Sequence, residues 1–437
     1  MAAGSRRECE RAEGTTVSYG VARRLQTGDS RLWGGLVAAV LLVVAPFILG
    51  GYQTSLLAQT LIFVLFATAF NLLYGYTGLL SFGHAMFIAV AGYTVAKTVN
   101  VVAPALGFPS VFGGASILAT WAFAIVLGVV VATIVAVLIG YLSVRLTEIY
   151  FALITLAFSM AIFVIFLQDT IGALLASFGI GGGNFSNGSD GLSFIMGEVN
   201  LFGLEFRLVD IVDPVAYYFL ALIVVALGMY LLWRIVQSPF GAVCQAVREN
   251  PDRAEALGID VTFHQWMTFI LSGAFSGLAG ALLIPLSTNV NPESHAHWSA
   301  SAEPVIMTVI GGPYSFLGPA LGAFSYEYLR WFIRQFPLLE QYWQFSFGVL
   351  LLIVVLFFDN GVAGGLIRFR AWLGVARERY REDGVAGVLA FTRETIVGYL
   401  RLLKQRIRST IRRIRSWIVT LWRRLRGEGS PRGRPGD

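Results

Sequence analysis

Long, nearly uninterrupted apolar runs recur along this chain, separated by short polar breaks. Wound as an α-helix, a run of about 20 apolar residues matches the thickness of a bilayer core. Runs at 34–51, 54–74, 78–98, 116–141, 149–168 and 215–234 predict six crossings, and two more are expected at 267–286 and 342–358. Between the last two lies an apolar stretch, 303–326, broken at Gly311-Gly312-Pro313 and again at Gly318-Pro319. Proline removes a backbone donor and glycine weakens a helix, so two half-helices entering and leaving on one side are expected there. The fold class expected is all-α: a polytopic transmembrane helical bundle with about eight full spans and one re-entrant pair, or ten spans by a simpler count.

Composition agrees. Of 437 residues, 56% are hydrophobic and only 13% charged, about half the charged share of an ordinary soluble protein. Residues 1–31 form a polar arm carrying Arg6, Arg7, Arg11, Arg23, Arg24 and Arg31, with no cleavable signal peptide expected. The positive-inside rule keeps this arm in the cytosol. The stretches 99–115 and 169–214 hold almost no Lys or Arg, as loops on the outside should, and the second reads as a long Gly/Asn/Ser-rich loop. It contains two Asn-x-Ser sequons, at Asn184 and Asn187, a pattern common by chance. Cys9 and Cys244 both fall on cytosolic segments, so no disulfide is expected.

More than half of the 32 Lys and Arg residues lie in 360–437. There Ile396, Leu400, Leu403, Ile407, Ile411, Ile414, Ile418, Leu421 and Leu425 recur at steps of three and four, with Arg on the other face. A helix lying on the anionic inner leaflet fits best, because Trp417 and Trp422 suit an interface. A coiled-coil contact and nucleic-acid binding are the other readings, and no nucleic-acid partner is expected.

One polar island interrupts the apolar pattern: Ser238–Trp266, SPFGAVCQAVRENPDRAEALGIDVTFHQW. A short helix is expected over Gly241–Arg248, broken near Asn250-Pro251, then a second from Asp252 to Leu257 ending at Gly258 as a left-handed cap. Within the island, Glu255-Ala256-Leu257-Gly258 resembles the loop by which permease subunits of ABC importers engage their ATPases. The run AVRENPDRAEALGIDVT with FILSGAFSGLAGALL (Phe269–Leu283), GYTGLLSFGHAMFIAVAGY (Gly75–Tyr93) and AEPVIMTVIGGPYSFLGPALGAF (Ala302–Phe324) resemble blocks of the branched-chain amino acid permeases of the LivM type. This resemblance covers roughly 56–359. It implies a coupling loop using Arg248, Glu249, Asn250, Arg253, Glu255, Ala256 and Gly258. It also implies two cytosolic ATP-binding subunits, a paralogous permease, an extracellular substrate-binding protein, and no cofactor in this chain, ATP being used by the partners. Arg145 and Glu148 resemble a further family block, from which Thr147-Glu148-Ile149 departs.

No catalytic constellation is present: there is no H-E-x-x-H, no G-x-S-x-G, no paired cysteines at metal spacing and no G-x-x-x-x-G-K-[ST] loop. ATP energy must therefore come from a partner. His295 and His297 beside Glu293 are expected to sit in an ordinary exposed loop, and no metal site is expected. The apolar spans are nearly free of acids and bases, which argues against proton-coupled transport. The ionisable candidate at membrane depth is His84, for which a neutral side chain bonded to backbone freed at Gly78 or Gly83 is favoured over a proton relay.

Two Gly/Pro-interrupted segments, Gly75–Tyr93 and Ile310–Phe324, fall in different halves of the chain. Such pairs point to a transport pathway in which half-helix N-termini face an anionic group. Close helix packing explains the glycines equally well; the family resemblance favours a pathway lined by Ser81, Gly83, His84, Gly311, Gly312 and Pro313. The expected organisation is an arm at 1–31, a transmembrane permease domain at 32–359 and a cytosolic tail at 360–437. The expected function is import of branched-chain or similar hydrophobic amino acids at the plasma membrane, with both termini cytosolic. A urea or short-amide permease and a partner-independent channel are the alternatives.

Overall fold

The computed structural model describes residues 39–146, 148–178, 184–193, 198–201, 204–207 and 214–337, with Gly35, Val37 and a few positions between 341 and 352. All belong to the first of two compact units, 1–364. The N-terminal arm, the expected crossing at 342–358 and the Arg-rich tail lie outside the described residues, apart from those few positions.

The described chain is mostly helical, and six of its helices are long and apolar enough to cross a membrane. They are α2 (Gly51–Thr77), α3 (Ala85–Lys97) extended through a π turn into α4 (Ala103–Ala105), α6 (Ser116–Ser143), α7 (Glu148–Leu167), α9 (Val215–Val236) and α12 (Val261–Ser287). Of the first expected crossing, 34–51, the continuously described part is α1 (Ala39–Ile48). Two boundaries move. The second crossing runs on to Thr77, and the third starts at Ala85 rather than 78. Gly78 explains both: at φ +81° it closes α2 with its N–H on the Tyr74 carbonyl, 3.2 Å away, and helix does not resume until after His84.

Helix α2 is the hub. Its most apolar window is 94% buried, against 33% for α6 and 22% for α7. It packs against α9, α12, α14 (Trp298–Gly311) and α15 (Gly318–Arg334). Its hydroxyls bond back to the preceding turn, Thr60 to Leu56 O and Thr68 to Val64 O at 2.7 Å each, which satisfies them without water. Close approach elsewhere uses small residues: a Cβ on Gly273 or Gly277 of α12 would lie 2.6 or 2.5 Å from the Cβ of Ala136 or Ala132 on α6. By contrast Val126, Val130, Ile134 and Leu138 form an exposed apolar stripe on α6, the surface expected of a helix facing lipid or another membrane chain.

Within the expected long loop at 169–214 the described residues hold regular structure. They form α8 (Thr170–Ser177), β1 (Leu192–Ser193) and the hairpin β2 (Glu198–Leu201) to β3 (Leu204–Arg207). Strand β1 pairs antiparallel with β4 (Asn289–Val290), Leu192 opposite Val290, so this loop lies at the end of the bundle where α12 finishes. Asp169 fastens it: its carboxylate accepts from the Phe185 and Ser186 N–H groups and the Ser186 hydroxyl, at 2.6 to 3.0 Å. Within 99–115, α5 (Phe108–Phe112) precedes α6.

The broken stretch forms a helical hairpin, α14 and α15 joined by a turn at 312–317. Glycine permits the contact: a Cβ on Gly322 would stand 1.8 Å from the Met307 carbonyl oxygen, and one on Gly311 would stand 1.9 Å from that of Gly318. Its open ends start near His297, which touches Phe163 late in α7 at 5.4 Å between ring centres. Its turn reaches the opposite end of the bundle, where a Cβ on Gly75 would lie 2.5 Å from the Pro313 carbonyl.

Candidate functional site

At that same end the polar island folds into two short helices, α10 (Pro239–Glu249) and α11 (Pro251–Ala256), leading into α12. Each start is capped by a side chain that replaces a missing carbonyl partner. Ser238 accepts from Gly241 N–H, Asn250 from Arg253 N–H at 2.8 Å, and Asp260 from Phe263 N–H at 2.9 Å. Asn250 ends α10 and starts α11, so the corner is fixed by one residue. Gly258, at φ +85°, donates to Glu255 O at 2.8 Å, and Ile259 N–H reaches Ala254 O at 3.1 Å, a paired closure of α11.

The loop presents two faces. Outward stand Glu249, Asn250, Arg253, Glu255, Ala256 and Gly258, all exposed, around Leu257, which is 77% exposed. Inward, Gly241, Cys244, Val247 and Ala254 are buried. Cys244 Sγ lies 3.3 Å from Thr268 Oγ1, and burial pushes its thiol pKa up, which leaves it inert. Trp266 N–H donates to Val137 O at 3.1 Å, tying the start of α12 to α6. Arg248 is the exception among the expected coupling residues. Its guanidinium turns into the bundle, donating to the Gly75 carbonyl and lying 4.5 Å from the Tyr314 ring centre.

The expected pathway residues all fall among the described residues. Ser81, Gly83 and His84 are buried, as are Gly311 and Gly312, while Pro313 is half-buried. Ser81 Oγ accepts from Gly83 N–H at 3.2 Å, and a Cβ on Gly83 would stand 2.6 Å from Thr155 O. Ser272 gives its single hydroxyl proton to Ala69 O at 2.7 Å, so it must accept from His84 Nε2–H at 2.8 Å. His84 is therefore bonded to a serine on α12, not to backbone near Gly78 or Gly83 as the sequence suggests. Phe70, Phe87 and Phe269 surround its ring. The N-terminus of α3 is already occupied: Ala85 N–H bonds Ser301 Oγ at 2.9 Å and Met86 N–H bonds Gly83 O. The two interrupted segments meet the last turns of α2, the first through Phe70 and His84, the second through Gly75 and Pro313.

Several polar residues here escape a reading by motif. Asn71 is fully buried, and neither of its amide atoms has a hydrogen-bond partner among the described residues. Glu303 and Arg330 form an ion pair at 3.4 Å across the hairpin, with Tyr326 on the same carboxylate and Glu327 buried beside them. His84 is thus not the sole ionisable group in the buried bundle; Glu303 lies 27 residues from Arg330, and only the antiparallel hairpin brings them together. Glu303 opens the apolar stretch and could have been noticed there. His295 and His297 do not sit in an exposed loop. His295 ends α13 (Pro292–His295) and is half-buried, and His297 caps α14 by accepting from Ser299 N–H. Among the described residues no group of three or more His, Cys, Asp or Glu could hold a metal ion. Arg145 lies over the Tyr141 ring at 4.4 Å.

Comparison with known proteins bears on the same residues. Residues 52–355 match the family described as branched-chain amino acid transport system / permease component. The high-affinity branched-chain amino acid transport system permease protein LivM of Salmonella typhimurium is 26% identical over 346 residues, 75% of this chain and 74% of that protein. The probable branched-chain amino acid transport permease protein LivM of Methanocaldococcus jannaschii is 23% identical over 331 residues, 69% of this chain and 90% of that protein. The probable LivH permease of the same organism is 32% identical over 107 residues, 23% of this chain and 31% of that protein. No solved structure matches. With the match spanning the capped loop, both interrupted segments and the hub helix, the chain belongs to the family of branched-chain amino acid transport system permease components.

Proposed function

We propose that the chain is the permease subunit of an ABC importer for branched-chain or similar hydrophobic amino acids in the plasma membrane. The observation that carries this reading is the loop 238–260: three capped helix starts hold a rigid corner, with Leu257 exposed at its tip and both flanks running directly into α9 and α12. A rigid, exposed element continuous with two spans is what an external motor needs to push on. Two cytosolic ATP-binding subunits would engage Glu249, Asn250, Arg253, Glu255, Ala256 and Gly258, and ATP would be consumed there. A paralogous permease would complete the pathway, and an extracellular binding protein would deliver the substrate. Relatives named for branched-chain amino acid transport support the cargo.

In this reading eight full spans surround the hairpin, which enters and leaves on the outer side. Both termini are then cytosolic, 1–31 and 360–437 flank the 32–359 permease domain, and the tail rests on anionic lipid. Ser81, Gly83, His84, Gly311, Gly312 and Pro313 line the route once the packed ends separate.

The test is a mild-detergent pull-down of the tagged chain from its own cells, followed by leucine uptake in proteoliposomes. Recovery of two ATPases and a second permease, with uptake that requires ATP, supports the importer. Leucine flux through the chain alone, without ATP, would refute it in favour of a channel. ATP-driven uptake of urea but not leucine would refute the cargo.

A further inference from the structure

Arg248 does more than its position in a docking loop requires. Its Nη1 donates to the Gly75 carbonyl, one of the last four carbonyls of α2, which have no partner within their own helix. Its flat face covers the Tyr314 ring at 4.5 Å, in the turn of the α14–α15 hairpin. Its methylenes cover Gly78, where an added Cβ would stand 3.3 Å from Arg248 Cγ. One side chain rooted in α10 thus holds the end of one interrupted segment and the turn of the other, whose backbones already touch at Gly75 and Pro313. Beside it lies a cavity of about 490 Å3, lined in part by Tyr76, Gln245 and Glu249.

We propose that Arg248 is the positioning residue through which movement of the loop opens and closes this end of the pathway, the bound guanidinium holding it closed. The assignment rests on the importer reading above. Arginine suits the task because its flat guanidinium can stack on a ring and donate in its plane at once, whereas a lysine ammonium is a compact, strongly hydrated point charge with no flat face to stack. Displacing α10 would withdraw the donor from Gly75 and the face from Tyr314 together, freeing two segments in one movement.

The transporter, assembled with its partners in proteoliposomes, is assayed for ATP hydrolysis and leucine uptake from the same preparation. Arg248→Ala and Arg248→Lys should each lower uptake roughly tenfold while hydrolysis stays within about threefold. Tyr314→Ala should lower uptake about threefold, reflecting loss of the cation–π contact alone. Tyr314 is 73% exposed, so that variant keeps the test open if the Arg248 variants fail to fold. Unchanged uptake, or uptake and hydrolysis falling in step, would overturn the proposal. A wild-type protein without ATP-dependent uptake refutes the importer reading instead. A measurement free of cargo and ATP then decides the Arg248 assignment. In a Cys9→Ser, Cys244→Ser background, a cysteine placed by Asn71→Cys, fully buried one turn below Gly75, should react with an impermeant thiol reagent roughly tenfold faster when Arg248→Ala is added. An unchanged rate would overturn it.

Discussion

Gly258 offers a perturbation whose cost can be worked from the backbone alone. A Cβ added there meets nothing within 4 Å, so Gly258→Ala introduces no clash. The cost is conformational: at φ +85° an L-residue is about 1–2 kcal/mol less favourable than glycine. That penalty falls on α11, a helix of six residues, whose closure depends on Gly258 N–H to Glu255 O and Ile259 N–H to Ala254 O. One to two kcal/mol corresponds to a factor of about 5–30 in a local equilibrium. Amide hydrogen exchange at Ile259 should therefore accelerate by roughly that factor, with membrane yield and thermal stability of the whole protein nearly unchanged. If α11 is the element on which the ATPases push, leucine uptake should fall in the same variant. Exchange at Ile259 as slow as in the wild type, or loss of the protein from the membrane, would refute the reasoning.

The same change elsewhere behaves oppositely. Gly322→Ala would place its methyl 1.8 Å from the Met307 carbonyl oxygen, so the hairpin must spread, at a cost of several kcal/mol; the folded yield in detergent should collapse. Burial alone would raise the Asp169 pKa, but hydrogen bonds from the Phe185 and Ser186 N–H groups and the Ser186 hydroxyl outweigh it and hold the carboxyl below its usual value. Its folded pKa is thus below its unfolded one, so its contribution to stability is present at neutral pH and lost as pH falls through the folded value. Asp169→Asn should melt at a lower temperature than wild type at pH 7, and the two melting curves should converge below about pH 4. In a Cys9→Ser background, Cys244 should resist a maleimide in the folded protein and react promptly after denaturation, because its thiol is buried and its pKa raised.

What could be read in advance depended on punctuation. Pro251, Asn250 and Gly258 mark the corners of the loop because each has a conformational preference that operates locally, and the structure breaks the chain at those residues. Gly311-Gly312-Pro313 and Gly318-Pro319 announce the hairpin turn for the same reason. Long-range facts carried no such mark. The inward turn of Arg248 had one usable clue: it lies four residues after Cys244, so it shares the face that also buries Gly241 and Val247. The ion pair of Glu303 with Arg330 needs the hairpin before it exists. Nor did hydrophobicity identify the hub, since α2 has a mean hydropathy of 2.0 and the more exposed α6 has 3.1. The more apolar helix is the more exposed one, and the one carrying Thr54, Thr60, Thr68 and Asn71 is enclosed by protein. His84 was misread for a related reason, because its partner Ser272 lies 188 residues away.

The burial of α2 also sets a schedule for assembly. Its bonds to Arg248, Ser272 and Thr308 span 173, 203 and 241 residues of chain. During synthesis α2 therefore enters the bilayer long before the segments that will enclose it have been made, and such distant pairings form slowly. In that interval its threonines cost little, since Thr60 and Thr68 already bond within their own helix. The Asn71 amide has no such internal outlet. A newborn α2 thus carries amide side chains, Gln59 as well as Asn71, into the lipid, and the wait for α12 and the hairpin is the period in which this protein is most exposed to quality control.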